Sequence, residues 1–222
     1  MLPALMGAAV AAACTLGACT VVPIGLEAQF TGATSFDAAS EGDALWDDKV
    51  TKEVSEGAVD LSALLAAGDL TSEDVVKANN GHDLAATSNA ANNSVVYAVK
   101  GTGTVTEVVA KAADESASSK GYITVQVDGY SGPAVVHIAV GPVITSTSLR
   151  DYPKSISLND YKDTTEWSNV SQSINKIVLS DVVEPADIAN IQGKKVTFTG
   201  AFTTNPADAN AIDITPIELK AE

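Results

Sequence analysis

The chain has almost no cysteine, two histidines and one arginine, and each shortage argues against a class of function. Of its 222 residues only Cys14 and Cys19 are cysteines, both near the start. The rest of the chain has no thiol, which excludes a disulfide scaffold and leaves no cysteine-ligated zinc site there. Two histidines, His82 and His137, are too few for a His/Cys metal centre. Basic side chains are scarce, with 13 Lys+Arg against 28 Asp+Glu, a net charge of -15, and Arg150 as the sole arginine. A nucleic acid must be held by Lys/Arg patches that release counterions, and the nearest thing to one is Lys194-Lys195, so a nucleic-acid partner is disfavoured. Catalytic signatures are missing too. No Gly-x-Ser-x-Gly elbow occurs. Gly101-Thr102-Gly103 lacks the third glycine of a dinucleotide fingerprint and the Gly-Lys-Ser/Thr of a phosphate loop, so it reads as a bulge or a close backbone approach in a strand.

What is present begins with a charge-free run from Leu2 to Leu26, rich in Ala, Gly, Leu and Val. Its length suffices for a membrane-spanning helix, but its Gly, Ala and Thr content and Pro23 make it a poor span. Leu5 to Ala18 fits the apolar core and small-residue end of an export signal, although Met1-Leu2-Pro3-Ala4 lacks the usual opening Lys or Arg. Leu16-Gly17-Ala18-Cys19 resembles a bacterial lipobox, in which a branched residue and two small ones precede the cysteine that receives lipid. That reading expects a signal peptide over 1–18, cleavage before Cys19, and a diacylated Cys19 holding the protein on the extracytoplasmic side of a membrane. Cys14 is a passenger in the apolar segment.

Composition of 45 % hydrophobic and 18 % charged residues places the remainder among globular chains. Residues 19–40 mix Pro, Gly, Thr and Ser and read as a tether, followed by a lipoprotein domain over 41–222. Trp46, Val50, Val54, Ala58, Leu61 and Leu65 recur at helical spacing, which predicts one helix from about Asp43 to Ala67, ended by Gly68. Thr71-Ser72-Glu73-Asp74 has the spacing of a capping box opening a second short helix. The helical part is expected to extend over about 41–94, its last third a polar loop, and a β-barrel part over about 95–222. Val95 to Val108 reads as strand interrupted at Lys100–Gly103, and Tyr122–Val127 and Ala134–Val140 complete a three-stranded meander. Helical period returns between Leu158 and Val183, and strands resume at Lys195–Gly200 and Ala211–Leu219. The expected class is α+β, mainly β: a small closed β-barrel with an N-terminal helix and an inserted helix, closure being the solution that removes exposed edges.

Cys19-Thr20-Val21-Val22-Pro23-Ile24, Phe36-Asp37, Trp46-Asp47-Asp48-Lys49-Val50 and Val99-Lys100-Gly101-Thr102-Gly103-Thr104-Val105 carry a resemblance. Further along so do Gly141-Pro142-Val143-Ile144, Leu149-Arg150-Asp151, Asn159-Asp160-Tyr161, Gly193-Lys194-Lys195-Val196, Gly200-Ala201-Phe202 and Ile214-Thr215-Pro216-Ile217. In order and number these motifs resemble those of a family of predicted bacterial periplasmic lipoproteins. The resemblance implies an envelope lipoprotein with an OB-fold-like barrel, often encoded beside ribose- or xylose-type sugar ABC transporters, whose components are then the expected partners. It implies no activity and brings no site residues. Where the family tends to show Asp-Gly-Asp-Gly between two strands, this chain has Asp128-Gly129-Tyr130-Ser131-Gly132, which removes the second carboxylate of any cation site there.

Among single residues, Arg150 beside Asp151 reads first as a structural ion pair and second as a grip on a partner's carboxylate or a ligand hydroxyl. Tyr130, Tyr152 and Tyr161 are candidates for a sugar-stacking platform, whereas Trp167, on the apolar face of its helix, reads as core. His137 alternates with Val136 and Ile138 and reads as a surface or hydrogen-bonded strand histidine. Asp208, Asn210 and Asp213 have no metal-loop spacing, and no metal or cofactor is expected. The leading functional expectation is a non-enzymatic, lipid-anchored accessory of a sugar uptake system. A direct binder of small ligands or oligosaccharides is the alternative, and an enzyme with an unrecognised site comes last.

Overall fold

The computed structural model describes residues 36–84, 94–109 and 120–222. Cys14, Cys19, the signal and most of the tether lie outside the described residues. Helix α1 (Ala38–Leu45) starts earlier than the apolar period suggests, because the Asp37 carboxylate accepts from the amides of Ala39 and Ser40 and caps it. A π-helical turn over Trp46–Thr51 joins it to α2 (Lys52–Gly57). The single long helix expected to Ala67 is broken. Ala58 is extended, and strand β1 (Val59–Asp60) pairs in parallel with Val99 and Lys100 before α3 (Leu61–Ala66) begins, capped by Asp60. The break resets the phase, so Leu61 and Leu64 are the buried leucines and Leu65 is only half-buried. Helix α4 (Glu73–Ala78) is N-capped at Ser72, but no side-chain capping bond forms: the Ser72 hydroxyl donates back to the Asp69 carbonyl.

Among the described residues seven strands form a single sheet. The order is β1, β3 (Val95–Val109), β4 (Tyr122–Val127), β5 (Val135–Ala139), β7 (Ala211–Ala221), β6 (Lys195–Thr203), with β6 returning to β3 and the short β2 (His82–Asp83) beside Val95 and Val96. Strands β3, β4, β5, β7 and β6 therefore form a closed ring. Only β5 and β7 are parallel neighbours within it. Alternation sends Ile123, Val125, Val136, Ile138, Ile212, Ile214 and Phe198 to the interior, where each is at most 4 % exposed. Ile123 opposes Ile138, and Ile138 opposes Ile214, so one layer of the core is made by three adjacent strands.

The interruption expected at Lys100–Gly103 is absent: β3 runs unbroken for 15 residues. The glycines serve approach instead. Gly101 lies against the Phe198 ring, and a side chain at Gly103 would press on the Gln126 carbonyl of β4. The start of β3, Val95–Val99, is buried at every position because α2 and α3 cover its outer side.

Between β5 and β6 the chain forms α5 (Ser148–Asp151), a 3-10 turn (Leu158–Asp160) and α6 (Thr164–Ile177), which the Asp163 carboxylate caps at the amides of Thr165 and Glu166. A π turn over Val178–Val183 ends it. Helix α6 packs on α1, with Gly42 of α1 pressed against Ser173. Among the described residues, no helix is long and apolar enough to cross a membrane.

Candidate functional site

Four of the five residues singled out for ligand or partner contact come together beside α5, and Tyr130 does not. Arg150 and Asp151 end a four-residue helix whose buried Ser148 hydroxyl donates to the Ala201 carbonyl of β6 and so fixes the helix to the ring. Arg150 Nε and Nη2 both donate to Asp151 Oδ1, at 2.8 and 2.6 Å, and Nη1 donates to the Trp167 carbonyl at 3.0 Å. Asp151 Oδ2 accepts from the Thr147 hydroxyl. With its guanidinium also stacked on the Trp167 ring, Arg150 is 8 % exposed and uses each of its three nitrogens within the chain. A carboxylate and a guanidinium that satisfy each other leave no net charge to attract a distant partner.

Two tyrosines add further aromatic rings beside this pair. Tyr161 lies 5.3 Å from Trp167 between ring centroids, and its hydroxyl donates to Glu41 Oε1 of α1 at 2.9 Å. Burial and that carboxylate push the Tyr161 hydroxyl well above the ordinary tyrosine range, so it remains a donor. Trp167 is half-buried, a correction to its reading as core, because the Arg150 guanidinium takes the place that apolar side chains would fill. Tyr152 is buried and stacks at 4.5 Å on His82, whose Nδ1 lies 2.8 Å from the Tyr152 carbonyl. Since a carbonyl only accepts, that nitrogen carries the proton. Burial, the largest cause, and the Lys154 charge hold His82 below its ordinary value, while the carbonyl bond and Glu53 act the other way.

Of these groups His82, Asp151, Tyr152 and Trp167, but not Arg150 or Tyr161, line a hollow of about 460 Å³, with Tyr152, Trp167 and Ile156 as apolar area and Asp151, Lys154 and Asn159 as polar groups. Its lower loop is tied to α2: Glu53 accepts from the Lys154 amide at 2.9 Å and from the Ser155 hydroxyl. The hollow is thus a concavity with apolar ring faces and hydrogen-bonding edges, which suits a sugar ring or the side chains of a docked protein. Tyr130 sits apart in the β4–β5 turn, where its hydroxyl accepts from the Ala134 amide and its carbonyl from Gln126.

His137 has an acidic neighbour that sequence spacing hid. Its Nδ1 is 3.1 Å from Asp213 Oδ1, across the parallel pair β5–β7. Asp208 accepts from the Asn210 amide in its own turn. Among the described residues no group of three or more His, Cys, Asp or Glu side chains is placed to hold a metal.

No curated protein matches the chain in sequence. Among solved structures it is similar to an OB-fold protein from Thermotoga maritima, at 17 % identity and a TM-score of 0.59, over 85 % of this chain and 100 % of that one. The strand order and the helix between β5 and β6 agree with that fold. Residues 9–220 match the model of the family described as predicted periplasmic lipoprotein (DUF2291), and the chain belongs to that family.

Proposed function

We propose that this lipoprotein is a non-enzymatic accessory of a sugar ABC uptake system, lipid-anchored through Cys19 and meeting its protein partner through the Tyr152–Trp167 hollow. The observation that carries the reading is the make-up of that hollow: aromatic and aliphatic area at the centre, a polar rim of Lys154, Ser157 and Asn159, and a backbone held by Glu53. An aromatic centre with a polar rim is the composition of protein interfaces. The net charge of -15 favours a partner face that is basic. The Cys19 lipobox supports the anchor, and the link to sugar uptake rests on the gene neighbourhood that the family resemblance implies.

The test places a photo-crosslinking residue at Ser157 or Asn159 of the full-length protein in intact cells. Capture of a permease or solute-binding protein from both positions, lost when Cys19→Ala prevents anchoring, supports the reading. Recovery of no transporter component from either position overturns it.

A further inference from the structure

The outer face of β4, β5 and β7 carries a second cavity, of about 430 Å³, separate from the docking hollow. Ile212 and Ile214 point into the ring, so Asp213 and Thr215 share the outer face of β7. The strand register sets His137 opposite Asp213 and Tyr122 opposite Ala139, which brings the Tyr122 and His137 rings to 4.2 Å between centroids. A carboxylate oxygen accepts, so His137 Nδ1–H donates to Asp213 and the second ring nitrogen is left for another partner. The facing wall, Ile144 to Ser146, is held by the buried Asn175, whose Nδ2 donates to the Ile144 carbonyl at 3.0 Å and the Ser146 carbonyl at 2.9 Å.

Thr215 supplies the second observation. It lines this cavity at 1 % exposure, and its Oγ1 is buried without a hydrogen-bond partner among the described residues. A buried hydroxyl without a partner is costly, and an isosteric valine would avoid that cost.

We propose that this cavity binds a neutral, hydroxyl-rich small molecule such as a monosaccharide or sugar alcohol. Its volume is in the range of small-molecule sites. Asp213, three-quarters exposed, offers carboxylate oxygens to O–H donors, the second ring nitrogen of His137 bonds a further hydroxyl, which both donates and accepts, and Thr215 does the same. Tyr122 and Ile144 offer apolar area to the C–H faces of such a ligand. An anion is opposed by Asp213 and by the net charge of -15, and a cation by Lys120 on the same lining. The site does not depend on the accessory role.

The test is a thermal-shift titration of the full-length chain in a detergent without sugar headgroups. The probes are D-ribose, D-xylose, D-glucose and ribitol, with phosphate and putrescine as charged comparators. At least one neutral probe raises the melting temperature saturably, as binding to the native state alone requires, and neither charged probe does. Thr215→Val weakens that response about tenfold while the ligand-free variant melts no lower than the parent. Asp213→Asn also weakens it, and Asn159→Ala in the docking hollow leaves it intact. Absence of a shift with all four neutral probes, or a full response in both Thr215→Val and Asp213→Asn, overturns the site. Crosslinking at Ser157 and Asn159 reads the other hollow, so each proposal fails on its own measurement.

Discussion

Arg150 recognises Trp167 twice: its guanidinium carbon lies 4.1 Å from the centroid of the indole ring, and its Nη1 donates to the carbonyl of the same residue. Together with the two bonds to Asp151, this joins α5 to α6 through one side chain. Removing one member of a buried ion pair leaves the other charge unpaired, at a cost of about 3–5 kcal/mol. Arg150→Ala is therefore expected to lower the unfolding free energy in urea by about that amount. Arg150→Lys restores less than half, since an ammonium cannot bond Asp151 from two nitrogens while lying flat on the ring. Unchanged melting with lost partner capture would show instead that Arg150 acts on a partner.

Cys19→Ala tests the anchor. The variant accumulates as an unprocessed precursor without incorporated fatty acid, because both the acyl acceptor and the residue at the cleavage site are gone. Metabolic labelling with a fatty-acid analogue followed by gel mobility checks it, and label retained in the variant sinks the lipid claim.

The interior of the ring was legible because alternation is a local property. Ile123 with Val125, Val136 with Ile138, and Ile212 with Ile214 each declare an inward face within a few residues. Closure followed only from the general need to remove edges. What distant partners impose was hidden. Val59 and Asp60 sit inside a helical apolar period and become strand only because Val99 and Lys100 accept them. At the candidate sites, Arg150 and Asp151 are adjacent in sequence and could be paired by reading alone. Trp167, 17 positions on, could not, and neither could His137 and Asp213, 76 positions apart and joined only by the parallel register of β5 and β7.

Gly103 tests how tightly the ring is drawn. It opposes Val127 on one side and Val196 on the other, and a Cβ there meets the backbone carbonyl of Gln126, which cannot rotate away as a side chain would. Gly103→Ala is expected to cost about 1–3 kcal/mol through overpacking. Gly193 has a positive φ of 78° but open space around the missing Cβ, so Gly193→Ala carries backbone strain alone, about 1 kcal/mol. Parallel urea titrations of the two variants check the order, and a larger loss at Gly193 would contradict the close approach of β3 to β4.

His82 makes stability depend on pH in a window of its own. Burial and Lys154 place its folded value below the ordinary 6.5, so on acidification the unfolded chain takes up the proton first. Its contribution is therefore fully present above about pH 6.5 and is lost as pH falls from there through the lower, folded value. Asp37, Asp60 and Asp69 are also lowered, from an ordinary 3.8, by hydrogen bonds from neighbouring hydroxyls and amides, and Asp128 by hydrogen bonds from Lys195 first and Thr102 second. Their contributions are present above 3.8 and lost below it, so their loss sets in at lower pH than that of the histidine. Melting temperature is expected to be level from about pH 8 to 7 and to fall as the pH drops below about 6.5. His82→Phe keeps a ring against Tyr152 but has no proton to bind. It is less stable at neutral pH, because the bond to the Tyr152 carbonyl is lost, and its melting curve is flat across that window. The same drop in the phenylalanine variant would assign the pH dependence to other groups.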